Sequence, residues 1–125
     1  MLNNKTVKAF AAMTDAEASK KFYRDILGFE LLNEDGFGLE FQMNDTLLRV
    51  TFVPAEHAAP KPYTTLGWVV ADIKNTVNEL KAKGVVFEKF PFVDDEDGIW
   101  TAPGGTKVAW FKDPHGNVLS IDQPA

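Results

Sequence analysis

Apolar residues along this chain follow two periods, and the switch from one to the other happens twice. Residues 6–11 (TVKAFA) form a strand-like run. Thr14 and Glu17 then give a capping-box signature, in which a hydroxyl and a carboxylate answer the free amide hydrogens of a helix start. Ala18, Phe22 and Ile26 recur every four residues, joined by Tyr23 and Leu27, until Gly28 ends the helix. Runs at 29–33, 37–43 and 46–53 predict strands. The pattern then restarts. Residues 64–71 (TTLGWVVA) predict a strand, Asp72 an N-cap, Ile73, Val77 and Leu80 the buried stripe of a helix, and Gly84 its end. Strands at 85–90, 106–112 and 117–122 complete the second set.

Two βαβββ units are therefore expected, over 6–53 and 64–122, within one domain spanning 1–125. Residues 54–63 (PAEHAAPKPY) hold three prolines and read as a surface linker. Each unit has one helix to cover one sheet face. The other face is left to curve, which gives an α+β fold with a curved, mostly antiparallel sheet and a concave cavity.

Strand alternation sorts side chains between the two faces. Leu48, Val50 and Phe52 form one apolar set, leaving Arg49 on the open face. The two-residue turn Asn44-Asp45 sets Glu40 opposite Arg49, where the two are expected to pair as ions. Val7, Ala9 and Ala11 suit a helix-packed face, so Lys8 and Phe10 look into the cavity. By the same reasoning Gly67, Val69 and Ala71 lie under the second helix, and Leu66 and Trp68 look inward. The closing hairpin, AWFKDPHGNVLSID at 109–122, turns on Asp113-Pro114-His115-Gly116. A bulge at Gly116 pairs Trp110 with Ser120 and puts Asp122 on the same cavity face. Trp68 and Trp110 are then expected to line one pocket with Phe10 beside them, and Trp100 sits in a loop ending in Pro103-Gly104-Gly105.

Composition narrows the functional classes. A chain of 125 residues with 45% hydrophobic and 25% charged residues is ordinary for a folded globular domain. No run reaches the length of a membrane-spanning helix, and MLNNKTVK lacks the apolar core of a signal peptide, so a cytoplasmic protein is expected. The absence of cysteine excludes a disulfide frame, a thiolate nucleophile and a cysteine zinc site. A net charge of −5 without a basic run argues against nucleic acid as a partner.

The duplicated units, the helix-end glycines and the DPHGN hairpin resemble, over essentially the whole chain, the glyoxalase, bleomycin-resistance and dioxygenase superfamily, the vicinal oxygen chelate proteins. In the metal enzymes of that family the ligands come from the first and last strands of each unit. The resemblance places those positions at Lys8, Arg49, Leu66 and Ser120. Two cations, a hydrocarbon and a neutral hydroxyl do not supply the imidazole or carboxylate donors a divalent metal needs. Neither a metal nor another cofactor is therefore expected. His57 in the linker and His115 at the hairpin tip read as solvated loop residues. The acidic run Asp94-Asp95-Glu96-Asp97 lacks the ligand spacing of a calcium loop and reads as a solvated turn.

What the resemblance then implies is a metal-free homodimer that sequesters an aromatic small molecule, a metabolite or an antibiotic, as the bleomycin-resistance branch does. The candidate ligand contacts are Lys8, Phe10, Arg49, Leu66, Trp68, Trp100, Trp110, Ser120 and Asp122. Enzymatic alternatives stay open. One is a lyase or dioxygenase with a non-standard site; another is acid–base catalysis by Lys8 or Asp122 in a dry cavity.

Overall fold

The computed structural model describes residues 1–125. Its contacts fall into two compact units, Met1–Pro60 and Lys61–Ala125. No helix is long and apolar enough to cross a membrane.

The first unit runs β1 (Lys8–Met13), α1 (Ala16–Lys20, continued as a π-helix over Lys21–Ile26), β2 (Glu30–Asp35), β3 (Gly38–Met43) and β4 (Thr46–Phe52). The sheet order is β1-β4-β3-β2, with β1 parallel to β4 and the other pairs antiparallel. The N-cap of α1 is Asp15, whose carboxylate accepts from the Ala18 amide at 3.1 Å, and not Thr14. Glu17 pairs instead with Lys20, 2.8 Å away. The π turn, seen in the Leu27 amide donating to the Phe22 carbonyl at 2.9 Å, widens the helix by one residue. It brings the neighbours Phe22 and Tyr23 both into the core, while Ala18 and Ile26 are only half-buried. Tyr23 packs on Phe41 of β3, and Leu39, Leu48, Val50, Ala11 and Met13 complete the covered face. Val7 and Phe52, expected in that set, are exposed. Val7 precedes β1 and Phe52 ends β4, so neither lies within the stretch where the core is built.

The second unit runs β5 (Thr64–Val69), α2 (Ile73–Ala82), β6 (Trp100–Thr101), β7 (Lys107–Lys112) and β8 (Val118–Gln123), in the order β5-β8-β7-β6. Asp72 caps α2 by accepting from the Asn75 amide at 3.1 Å, and Gln123 takes the Ile73 amide at 2.9 Å. Ile73 and Val77 are buried against a face built from Ala109, Phe111, Leu119 and Ile121. The closing hairpin turns as its residues dictate. Asp113 accepts from the amides of His115 and Asn117, and Gly116, at φ 96°, supplies the bulge that sets Trp110 opposite Ser120.

Two features depart from the sequence pattern. The expected strand at 85–90 is reduced to a single bridge, Phe87 to Phe111, and one further bond from the Glu88 amide to the Trp110 carbonyl at 2.8 Å. The chain leaves the sheet after Glu88, and the outer strand resumes only at Trp100, opposite Val108. Trp100 therefore belongs to β6 and not to a loop. The second departure is in β5. Thr64 faces Val118 and Leu66 faces Leu119, so Thr65 is an extra residue, a bulge.

Candidate ligand-binding site

The Thr65 bulge reverses the expected faces of β5. Thr64 stays on the open side, where its hydroxyl accepts from the Trp110 indole N–H at 3.1 Å. Beyond the bulge, Leu66 and Trp68 align with Leu119 and Ile121 on the helix-covered side. Trp68 stacks on buried Phe111, with centroids 6.4 Å apart and planes at 20°. Gly67 and Val69 face outward beside Ser120 and Asp122, and Val69 is 71% exposed. Trp68 and Trp110 thus occupy opposite faces and share no pocket. An alternation argument inverts after a single inserted residue, because successive side chains point to opposite sides.

Trp110 has other neighbours. Phe90 and Phe92 stand edge-on to it at 5.4 and 5.8 Å, and Trp100 lies 6.1 Å away, tilted by 33°. Phe90 and Phe92 stack on each other with planes 7° apart, and Phe92 meets Trp100 edge-on at 5.6 Å. Next to these rings lies a hollow of about 320 Å³, walled by Pro62, Tyr63, Thr64, Phe90, Phe92, Trp110 and Val118. No Asp, Glu, Lys, Arg or His lines it. Of the expected contacts, the fold brings together Trp100 and Trp110. Ser120 and Asp122 share their sheet face, with Ser120 buried. Tyr63, Thr64, Phe90 and Phe92 were not foreseen. The signal available was Phe90-Pro91-Phe92, with Pro91 at the second position of a turn closed by the Val93 amide on the Phe90 carbonyl at 2.9 Å, which brings the two rings together.

Lys8, Phe10 and Arg49 lie in the first unit, on its open face. Phe10 is 65% exposed. The register places Glu40 opposite Arg49, yet the ion pairs are exchanged: Lys8 takes Glu40 at 2.8 Å, and Arg49 takes Asp35 at 2.8 Å. Asp35 is held in place by the amides of Phe37 and Gly38, at 2.8 and 3.1 Å. Gly38, between Asp35 and β4 in the sheet, has no side chain in the way of the arginine. Both cations are thus matched by carboxylates, which removes their pull on an anionic ligand. The Phe37 amide first, and the Arg49 guanidinium second, hold the Asp35 carboxyl below the ordinary aspartate value. A pKa lower in the folded than in the unfolded state favours folding once the carboxylate is charged. That contribution is complete above the ordinary value and drains away as pH falls through the lowered one. Asp35→Asn should therefore flatten the acid limb of the stability–pH profile, measured by urea unfolding at a series of acidic pH values.

The positions at which the resemblance places metal ligands do not fit a metal. Lys8 and Arg49 are ion-paired, Leu66 is on the covered face, and its open-face neighbour Gly67 has no donor. No group of three or more His, Asp or Glu side chains converges anywhere in the chain. His57 is exposed in a short 3-10 turn, Ala55–His57. His115 is half-buried and not solvated as expected; its Nε2 is enclosed without a hydrogen-bond partner. A larger depression of about 660 Å³ opens at the start of α2 beside Lys74, Asp95 and Lys107. There the Ile73 and Asn75 amides are already taken by Gln123 and Asp72, and the walls carry charges of both signs. Its apolar lining is limited to Ala71, Ile73 and Ile99 among these charges, and the smaller aromatic hollow is the better candidate.

The family model of the Glyoxalase/Bleomycin resistance protein/Dioxygenase superfamily matches residues 7–121. The chain belongs to this superfamily. Several solved structures share its fold. TnmS3, an antibiotic binding protein from Streptomyces sp. CB03234, is 24% identical, with a TM-score of 0.74 over 100% of this chain and 99% of that one. A lactoylglutathione lyase from Agrobacterium tumefaciens is 17% identical, with a TM-score of 0.73 over 98% and 96%. A glyoxalase/bleomycin resistance protein/dioxygenase from Nocardioides is 18% identical, with a TM-score of 0.74 over 97% and 83%. At these identities the likeness is one of fold. No curated protein sequence matches the chain significantly.

Proposed function

We propose that this superfamily member is a metal-free binding protein for a neutral, planar aromatic molecule, held in the hollow beside Trp110. The observation that carries the reading is the convergence of Phe90, Phe92 and Trp110 at a concave surface without charged walls, with Trp100 packed against Phe92 and Trp110. Ring faces and edges attract a flat ligand, and the hollow has no carboxylate, amine, guanidinium or imidazole in its walls, Tyr63 being its one titratable side chain. Thr64 adds polarity. Its hydroxyl oxygen already accepts from the indole, so its own hydrogen is available to a carbonyl or ether oxygen of the ligand. The antibiotic-binding relative makes sequestration the favoured biological role.

Acridone, a neutral fluorescent ring system with one carbonyl, tests the site. It should quench tryptophan emission on binding, and Trp110→Ala should weaken it by about 1–3 kcal/mol, roughly 5- to 150-fold in Kd. Undiminished binding by Trp110→Ala would remove the site from consideration. The reading also includes a homodimer, since a second copy would cover exposed apolar side chains beside edge strands, such as Phe10 on β1 and Val69 on β5.

A further inference from the structure

The outer edge of the second sheet is interrupted by one excursion. Phe87 and Glu88 lie against Phe111 and Trp110, and Trp100 pairs with Val108. An uninterrupted strand would have put Phe90 at the position Trp100 holds. Residues 89–99 instead leave the sheet and return, and their ends meet. A Cβ placed on Gly98 would stand 3.0 Å from the Glu88 carbonyl oxygen and 3.3 Å from the Phe87 Cβ. Closed ends around a compact excursion are the geometry of an Ω-loop. Gly98 sits at φ +82°, where a side chain is strained as well as crowded.

The loop is fastened on two sides. On one, Phe90 and Phe92 bear on Trp110 and wall the hollow. On the other, Asp97 reaches α2, where it pairs with Lys81 at 2.7 Å and with Lys74. Its carboxylate is only 14% exposed, so Asp97 departs from the solvated turn expected of the acidic run, while Asp94, Asp95 and Glu96 are exposed as expected. Asp95 folds the tip that presents Asp97, accepting from the amides of Asp97 and Ile99 at 2.9 and 3.2 Å.

We propose that residues 89–99 form a salt-sensitive lid on the aromatic hollow, hinged at Glu88 and Gly98 and latched to Lys74 and Lys81 by Asp97. Asp97 is mostly covered, but Lys74 and Lys81 keep 61% and 38% of their side-chain surface in water, so salt weakens these pairs in part, which suits a fastening that must release. Opening the latch frees the segment that carries Phe90 and Phe92, so one wall of the hollow leaves with it. The consequence for ligand entry rests on the proposed site; the latch itself is a property of the free protein.

Amide hydrogen exchange of the free protein reads the latch directly, at about 0.01 M and about 1 M sodium chloride, where the Debye length falls from roughly 30 to roughly 3 Å. Amides in 89–99 should exchange several-fold faster at high salt, with β7 and β8 unchanged. Asp97→Asn should exchange fast in this segment at both salts, and so should Lys74→Met combined with Lys81→Met. Exchanging the charges, with Asp97→Lys, Lys74→Glu and Lys81→Glu together, should restore slow, salt-sensitive exchange. Equal exchange at both salts in the natural protein, unaltered by Asp97→Asn, overturns the lid. Association of acridone should quicken with salt in the natural protein and not in Asp97→Asn. If the exchange results hold but acridone does not bind, the latch stands and the assigned ligand site falls.

Discussion

Trp68→Ala should cost about 3 kcal/mol of stability, the lower end of the range for emptying a large aromatic from a core, while leaving the hollow beside Trp110 formed. The indole stacks on Phe111, which is fully buried and also touches Phe87. Removing it strips one side of that ring and leaves a void that the β5 and β8 backbones, paired from Leu66 to Val69, resist closing. A loss of this size is a large part of the total stability of a domain. Urea unfolding should show the midpoint displaced, and acridone should still bind the folded variant. This is the opposite of the result expected for Trp110→Ala. A Trp68→Ala protein of undiminished stability would contradict the placement of Trp68 under α2.

Gly38→Ala should also cost about 3 kcal/mol, at the top of the usual range for overpacking. Its Cβ would fall 2.2 Å from the Val50 carbonyl oxygen and 3.1 Å from the Thr51 Cα. These are backbone atoms of β4, fixed by the β3–β4 ladder and by the full burial of Val50, so no side-chain rotation relieves the clash. Gly36, two residues away, is the control. A Cβ there meets nothing within 4 Å, and Gly36→Ala should be neutral or slightly stabilising through the unfolded chain. Equal midpoints for the two variants in urea would show that β4 yields at Val50.

The local devices were legible because each is written in residues close together in the chain. Asp113, Gly116 and the apolar runs around them specify the hairpin and its bulge, and the Trp110–Ser120 register follows. Asn44-Asp45 likewise specifies the β3–β4 turn and the alignment of Glu40 with Arg49. What could not be read was the choice among competing partners. Arg49 had two carboxylates within reach, and Asp35 won because the Phe37 and Gly38 amides had already positioned it.

From the sequence alone came the duplicated βαβββ pattern and the two helices with their glycine ends, since periodicity and turn chemistry are local properties. The tertiary structure alone decided which face Trp68 occupies and which rings gather around Trp110. The Thr65 bulge has no signature in TTLGWV, because it is imposed by the alignment of β5 with β8, which is settled by burying Leu66 and Trp68 beside Leu119 and Ile121. The aromatic hollow likewise exists only because the outer strand gives way after Glu88 and resumes at Trp100, returning Phe90 and Phe92 to a tryptophan distant in the chain.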